Sequence, residues 1–481
     1  MNTVGSRQAF GNPTISFLFW GCIFISVAAY AALFSQPLAL IIPFCLLLLY
    51  QSWANRGVSF LLMIAAIPFS TEFHFANGWG TDLPDEPLML LVTFLFVSAW
   101  IFSPGNIEKK KWSHPLLLIL YGWILWMMIS TIFSVNPGLS IKFILAKSWY
   151  IGAFILAPLM ILNNRNQIAS IVTTLIGSAS IIVLIILFRH ASTDFRFASI
   201  NDAVYPFFRN HVTYSSLIVC ILPLLVAAFY LDITHRRKWL IASLIFIFLF
   251  AILFSYARGA WLALLMGLIA QWLLRKKWLV KFFLLALVAI AVSTAWLAKS
   301  NHYVRYAPQF NTTIFHKDFG QHLVATYELK DVSTEERFYR WVAGFKMAKD
   351  KWITGFGPNN FYPNYKYYAV PAFKTWVSNN PDHSTVHNYF LLTATEQGLP
   401  ALILLLILFG MMIGYAQRLY HRIKDPFYRI TAVTTGTIFS MILVLNFLSD
   451  LIESDKIGPL FFLCIAVLIS IDTNTREDNV F

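Results

Sequence analysis

Long apolar runs recur along almost the whole chain, and they constrain its fold more than any other feature. A bilayer core about 30 Å thick requires about 20 mostly apolar residues per helix, and the sequence supplies such runs repeatedly. Hydrophobic residues make up 58% of the 481 residues and charged residues only 12%, a balance that soluble globular domains do not show. The sequence therefore predicts an all-α, polytopic bundle of transmembrane helices.

The polar breaks between the apolar runs predict about 12–14 spans. The candidate spans lie near 14–33, 37–50, 57–70, 87–102, 115–134, 145–162, 167–188, 211–231, 239–254, 260–274, 279–298, 388–416, 428–449 and 458–472. The runs at 37–50, 57–70 and 260–274 are short for a full crossing, and two of the short runs could instead be re-entrant segments. The number of spans is therefore left open.

Basic clusters predict the orientation of the bundle. They lie in alternate loops, at 109–111, 236–238, 275–277 and 418–429, which the positive-inside rule assigns to the cytoplasm. Both termini are then cytoplasmic, and the outward segments are 71–86, 135–144, 189–210, 255–259, 299–386 and 450–457. In a Gram-negative cell that side is the periplasm. The formal net charge of +13 is explained by topology and by anionic lipid headgroups, so no nucleic-acid partner is expected.

One outward segment is too long to be a simple connector. Residues 299–386 form a predicted periplasmic loop domain between an N-terminal transmembrane bundle, 1–298, and C-terminal transmembrane helices, 387–481. Connections beyond about 12–15 residues usually carry function or are disordered, and the many aromatic residues of this loop argue against disorder. Ser333 with Glu336 matches a capping box, and helical apolar spacing follows it. An amphipathic helix is predicted over about 334–351.

Three arginines fall on the outward side, where the positive-inside rule disfavours cations. Arg258 lies between two apolar spans, Arg337 lies in the first turn of the predicted loop helix, and Arg209 directly precedes a span. Guanidinium groups bind phosphate oxygens bidentately, so a bound diphosphate would explain these positions. A snorkelling anchor at Arg258, an ion pair at Arg337 and a helix cap by His211 beside Arg209 remain the alternatives.

Two histidines close the long loop. His383 and His387 are four residues apart and directly precede the next apolar span. This spacing is compatible with two metal ligands, but the sequence has no HExxH motif and no evident third ligand, so no metal is expected. A neutral imidazole near the membrane surface suits a general base at near-neutral pH. A histidine that caps the helix is the alternative.

The residues around His387 resemble a signature of the O-antigen ligases and their polymerase relatives. That signature is His-Asn, nine intervening residues, and then Gly-x-x-Gly. Here His387 and Asn388 are followed by the nine residues from Tyr389 to Gln397 and then by Gly398. Ala401 stands in the position of the second glycine, which is a conservative departure.

Two further stretches agree with this family in order and spacing. They are Arg-Gly-Ala-Trp-Leu at 258–262, and Glu-Arg at 336–337 ahead of Gly-Phe-Gly at 355–357. The resemblance covers about residues 209–416, whereas the first half of the chain is similar only in its apolar spans. Each motif is weak by itself, but together they are specific.

The resemblance implies a metal-independent glycosyl transfer that needs no cofactor, at the periplasmic face of the bacterial inner membrane. The donor would be a glycan on a polyprenyl (undecaprenyl) diphosphate carrier, and the acceptor a hydroxyl of lipid A-core. His387 would be the general base, while Arg258 and Arg337 would hold the diphosphate and stabilise its growing charge. The remaining expected substrate-binding residues are Arg209, His383 and Asn388.

Other functions remain open at this point. A polymerase of the same superfamily would pass the glycan to another carrier-linked repeat, and a protein O-oligosaccharyltransferase would pass it to a protein. From a different class, a transporter for lipid-linked glycans would place its ionisable residues near mid-membrane. Glu396, about two turns into the span after His387, is the residue that best fits such a transport path, although it could also face the interior of the bundle.

Overall fold

The computed structural model describes residues 55–74, 80–102, 109–232, 234–299, 332–370 and 385–477. Within these residues the chain is a bundle of helices, and ten of them are long and apolar enough to cross a membrane. The predicted all-α, polytopic fold class is therefore confirmed. The chain is a multi-pass membrane protein.

Thirteen longer helices and one hairpin make up the described fold. They are α1 Arg56–Ala66, β1 Thr71–His74, β2 Gly80–Leu83, α2 Asp85–Phe102, α3 Pro115–Ile132, α4 Pro137–Ile161, α5 Arg165–Ala191, α6 His211–Leu231, α7 His235–Phe254, α8 Arg258–Arg275, α9 Leu279–Ala298, α10 Val332–Asp350, α11 Tyr389–Arg422, α12 Pro426–Leu448 and α13 Gly458–Glu477. Short helical turns lie at Ile67–Phe69, Lys109–Trp112, Phe197–Ser199, Ile200–Val204, Phe361–Tyr365 and Leu451–Glu453.

The predicted spans agree with these helices, with two exceptions among the described residues. The runs at 57–70 and 260–274 form α1 and α8, which are not among the ten candidate spans. The runs at 14–33 and 37–50 lie outside the described residues. The outward segment 71–86 contains the antiparallel pair β1–β2, in which Thr71 lies opposite Leu83, and the helical prediction did not include this hairpin.

Polar side chains cap the first turns of several spans. Asn164 and Gln167 form a reciprocal capping box at α5. Asn136 caps α4 and Asp425 caps α12, and both of these helices begin with proline. The first N–H groups of a helix lack partners within it, and a side-chain oxygen that accepts one of them stabilises the helix start. These short polar motifs therefore fix where the spans begin.

Helix α12 is the centre of the bundle and packs against α6, α8, α11 and α13. In the apolar part of α13, 89% of the residues are buried, whereas in that of α9 only 6% are buried. Helix α13 therefore runs through the protein interior, and α9 lies at the edge. Helix α10 packs against α11, which brings the loop helix next to the start of a span. The predicted division at 298/299 and 386/387 stays a prediction.

Segments that were predicted to face outward contact one another and the end of the predicted span 57–70 at one end of the bundle. Val135 N–H donates to the carbonyl of Phe356 at 2.9 Å. The Thr385 hydroxyl donates to Asp450 at 2.6 Å, and the ammonium of Lys456 donates to the carbonyl of Ser70 at 2.9 Å. These hydrogen bonds join distant parts of the chain at the end of the bundle where α11 begins.

Candidate active site

His387 lies in a tight turn directly before α11. Its φ is +52°, a left-handed conformation that is uncommon for residues other than glycine and costs about 1–2 kcal/mol. The Trp341 indole N–H donates to the carbonyl of Val386 at 3.0 Å, and the Thr385 hydroxyl oxygen accepts the His387 N–H at 3.4 Å. Backbone strain of this kind persists where surrounding contacts hold it, which is characteristic of functional sites.

Asn388 fixes the backbone beside that turn. Its side-chain oxygen accepts the Leu391 N–H at 2.9 Å and so caps α11. Its amide nitrogen donates to the carbonyl of Phe447 at 3.0 Å, at the end of α12. Both ends of the amide thus join α11 to α12, and this position sets the location of His387. This contact explains why asparagine follows the histidine.

Arg340 is the residue in contact with the imidazole, and the sequence-based prediction did not include it. Its side chain is buried, donates to the carbonyl of Thr385 at 2.9 Å and lies 3.4 Å from His387 Nε2. A guanidinium group only donates hydrogen bonds, so Nε2 must carry the lone pair in this contact. The available signal was its spacing of three residues from Arg337, which places both cations on one side of a helix.

The imidazole of His387 is strongly held in its neutral form. Burial, together with the positive charges of Arg340, Arg337 and Arg209, lowers its pKa from 6.5 to about 3. The interaction between two charges weakens with distance and with exposure to solvent, so a pKa is shifted most by neighbouring charges at a buried site. Two of the predicted arginines, Arg337 on α10 and Arg209 before α6, are therefore close enough to His387 for their charges to lower its pKa.

Arg258 reaches the same end of the bundle from another direction. It is the first residue of α8, and its neighbour Gly259 lies against Leu448, where an added Cβ would be 3.5 Å from the leucine Cδ1. Leu448 follows Phe447, which accepts the Asn388 hydrogen bond. The end of α12 therefore contacts both the start of α8 and the residues at the start of α11. His383 lies outside the described residues.

Helix α10 begins earlier than predicted. Because it starts at Val332, Ser333 lies inside the helix and the predicted capping box is wrong. Arg337 accordingly lies in the second turn, where the helix dipole opposes a cation less strongly than in the first. Glu336, which directly precedes Arg337, lies 3.4 Å from the guanidinium of Arg340 in an i,i+4 ion pair.

The residues after Arg209 are also arranged differently from the capping alternative. Asn210 caps α6, because its side-chain oxygen accepts the N–H groups of Val212 and Thr213 at 3.1 and 3.0 Å. His211 is the first helical residue, and both its N–H and its ring contact Asn201. The helix cap considered for His211 is therefore provided by its neighbour.

Helix α11 is interrupted at Gly398, the first glycine after the nine intervening residues, and the segment that follows α10 packs against this interruption. Its φ and ψ are 80° and 173°, a region that is almost restricted to glycine. A Cβ there would lie 2.0 Å from the carbonyl oxygen of Ile353. The N–H of Leu399, freed by the break, donates to the carbonyl of Trp352 at 2.8 Å. The glycine of the motif is thus explained by contact between two backbones.

Glu396 anchors the same loop. One carboxylate oxygen accepts the Asn359 N–H at 2.8 Å, and the other accepts the Phe361 N–H at 2.9 Å. The carbonyl of Glu396 also accepts the Gly357 N–H at 2.8 Å. The side chain faces the protein interior and holds the chain that follows α10. These contacts set the position of α10, and with it Arg337 and Arg340, relative to His387.

A family model described as O-antigen ligase matches residues 241–406. The matched region contains α8 with Arg258, α10 with Arg337, and the start of α11 with His387 and Asn388. It ends just beyond the break at Gly398, so the three stretches that suggested the resemblance all fall inside it. No curated protein matches the chain.

Proposed function

We propose that this chain is a membrane glycosyltransferase of the O-antigen ligase type, which transfers a glycan from a polyprenyl diphosphate carrier to a hydroxyl of lipid A-core. The match of residues 241–406 to a family model described as O-antigen ligase supports this proposal. The observation that carries the proposal is the contact of buried Arg340 with His387 Nε2 at 3.4 Å, with Arg337 and Arg209 close enough to lower the pKa of the same imidazole. A diphosphate leaving group requires cations, and an acceptor hydroxyl requires a base. One end of the bundle offers both.

The reaction needs one displacement at the anomeric carbon. The acceptor oxygen forms a bond to that carbon, the bond from the carbon to the phosphate oxygen breaks, and the electron pair leaves with the diphosphate. His387 takes the proton from the acceptor hydroxyl, while Arg258 and Arg337 hold the diphosphate with help from Arg209. A single displacement inverts the anomeric configuration and requires no covalent intermediate on the protein.

The cations around His387 also couple its basicity to the donor. Without substrate, burial and three arginines keep its pKa near 3, which makes the imidazole a weak base. A bound diphosphate would offset the positive charges of Arg337 and Arg209 and raise the pKa of His387. The acceptor hydroxyl would then replace the long 3.4 Å contact between Arg340 and Nε2. The donor should therefore bind before the acceptor is deprotonated.

The base assignment is tested by reconstitution. The purified protein in liposomes would receive a polyprenyl-diphosphate glycan and lipid A-core, and transfer would be followed by gel mobility or mass spectrometry. His387→Ala should slow transfer about 100-fold or more. His421→Ala is the matched control, because His421 lies at the other end of α11 and contacts the carbonyl of Leu274. Equal transfer by the two variants would refute the base.

The arginines are tested in the same assay. Arg258→Ala and Arg337→Ala should each lose about 2–4 kcal/mol of transition-state stabilisation, in line with the loss of an oxyanion donor. Arg196→Ala is the control, since this arginine is 73% exposed and pairs only at the surface with Asp194. Near-normal turnover of Arg337→Ala would return that residue to a structural role.

The products decide among the related functions. Glycan on lipid A-core supports the ligase, longer carrier-linked chains indicate a polymerase, and glycan on a protein indicates an oligosaccharyltransferase. Movement of intact carrier-linked glycan across the membrane, with no new glycosidic bond, would indicate a transporter. The two backbone hydrogen bonds to Glu396 favour an enzyme, because they occupy the residue that best suited a transport path.

The proposed orientation places the site in the periplasm and both termini in the cytoplasm of the bacterial inner membrane. Arg196→Cys and Lys276→Cys would introduce exposed thiols in segments predicted to lie on opposite sides. A membrane-impermeant maleimide should label the first variant in intact spheroplasts and the second only after lysis. The reverse pattern would invert the topology.

A further inference from the structure

An apolar groove of about 480 Å³ runs between α6, α8 and α12, away from His387. This volume lies within the range of about 300–1,000 Å³ that is typical of ligand sites. Its walls are mainly aliphatic and include Leu222, Val226, Leu264, Leu268, Val433 and Met441. The Thr437 hydroxyl in the wall donates to the carbonyl of Val433 at 2.9 Å, so its polarity is satisfied within the helix.

One end of this groove is strongly basic. Arg275 is the last residue of α8, Lys424 lies between α11 and α12, and Arg429 lies in the first turn of α12. All three side chains are exposed, and none forms a salt bridge with another residue in the part of the chain that is described. Arg429 stacks over the Tyr420 ring at 4.6 Å from its centroid. Their exposure at the groove mouth suits these cations to bind an anion.

The groove is separate from the candidate active site. Helix α12 begins at Pro426, beside the three cations, and ends at Leu448, beside Gly259 and Arg258. Its 23 residues correspond to about 34 Å at 1.5 Å per residue. The basic mouth and the turn at His387 thus lie at opposite ends of the bundle, and the orientation predicted from the sequence places this mouth in the cytoplasmic leaflet.

We propose that this groove binds an anionic phospholipid, with its phosphate held by Arg275, Lys424 and Arg429 and an acyl chain lying along the aliphatic walls. A soluble anion would leave those walls without a partner, whereas a neutral lipid would leave three like charges uncompensated. A zwitterionic headgroup would add its own cation to the cluster. Basic pockets between spans on the cytoplasmic side are suited to acidic headgroups.

The headgroup contact is tested by native mass spectrometry of the full chain in detergent. Dioleoyl phosphatidylglycerol should bind more tightly than dioleoyl phosphatidylcholine. The triple variant Arg275→Gln, Lys424→Gln, Arg429→Gln should bind the anionic lipid at least about tenfold more weakly. The control variant replaces the cations at 236–238 with glutamine, because these residues lie at the same end of the bundle but outside the groove. It should change affinity less than about twofold.

The acyl contact is tested by filling the groove while keeping its charge. Val226→Trp should weaken binding of the anionic lipid about as much as the triple variant does. If Val226→Trp unfolds at a lower temperature than the wild type, Ala227→Leu replaces it as a smaller obstruction of the groove. If the filled variants bind the anionic lipid with normal affinity, the lipid is attracted only to the basic surface and does not enter the groove. If both triple variants lose affinity equally, any basic cluster at this end of the bundle binds the lipid, and the groove is not a specific site. Binding of a polyprenyl phosphate but not of phosphatidylglycerol would also overturn the proposal.

Discussion

The contact between Gly398 and the loop makes a sharp stability prediction, because the same helix contains a matched control. Gly398→Ala places a Cβ 2.0 Å from the carbonyl oxygen of Ile353 and 3.0 Å from that of Trp352. Both obstacles are backbone atoms, so no side-chain rotation relieves them. Gly414→Ala, further along α11, places a Cβ with nothing within 4 Å.

The magnitude follows from two contributions. An alanine held at φ 80° and ψ 173° costs about 1–3 kcal/mol. Displacement of the loop breaks the 2.8 Å hydrogen bond from Leu399 to Trp352, which costs about 0.5–1.5 kcal/mol more. Gly398→Ala should therefore reduce the free energy of unfolding by about 1.5–4.5 kcal/mol. Gly414→Ala should increase it by about 0.5–1 kcal/mol, because alanine favours a helix interior over glycine.

The assay is thermal unfolding of both variants in one detergent, combined with hydrogen exchange of residues 351–361. A change of 1 kcal/mol moves the midpoint by about 2–4 °C in a domain of 150–250 residues, so the two variants should be separated by several degrees. Exchange should accelerate in the loop of Gly398→Ala alone. If Gly398→Ala unfolds at or above the midpoint of Gly414→Ala, the close approach of the two backbones is not as described.

Three further outcomes are expected. Arg340→Gln should raise the pKa of His387 from about 3 toward its ordinary value of about 6.5, so that transfer falls with decreasing pH below the raised pKa. An unchanged pKa in histidine NMR titration would mean that the charge of Arg340 does not contribute to it. Glu396→Gln should cost about 1–3 kcal/mol of stability, since the amide nitrogen cannot accept a backbone N–H, and unchanged loop hydrogen exchange would contradict the anchoring role. Thr385→Val should lower kcat because it removes the 2.6 Å hydrogen bond to Asp450, whereas Thr385→Ser keeps the hydroxyl and should retain the wild-type kcat. Equal kcat in the valine and serine variants would show that this hydroxyl does not position His387.

The neighbourhood of Arg340 also explains how a buried cation is tolerated there. The guanidinium has Glu336 at 3.4 Å and the carbonyl of Thr385 at 2.9 Å, and it lies over the Tyr365 ring at 5.9 Å from its centroid. Breaking one member of such a buried set typically costs about 3–5 kcal/mol. These contacts hold the positive charge of Arg340 beside His387, and a charge fixed in this way would suit the electrostatic stabilisation that the proposed transfer requires.

Much of this architecture is determined locally by the sequence. Long apolar runs must satisfy their backbone hydrogen bonds inside lipid, so α2 to α7 follow from composition alone. The helix over 334–351 was predicted from apolar spacing and is found at Val332–Asp350. Its start was misplaced by two residues, because the capping pattern of Ser333 and Glu336 lies inside the helix. The sequence motifs and the predicted outward orientation likewise identified Arg337, Arg209 and His387 as candidate site residues.

Only the tertiary structure decided how these residues meet. The role of Arg340 depends on the packing of α10 against the start of α11, and no spacing within α10 indicates which of its arginines contacts the imidazole. Position 398 requires glycine because the carbonyl of Ile353, 45 residues earlier in the chain, occupies the space that a Cβ would need. Apolar spans are determined by the free energy of each segment in lipid, whereas a pKa or a steric limit depends on atoms that long-range contacts bring within a few ångströms.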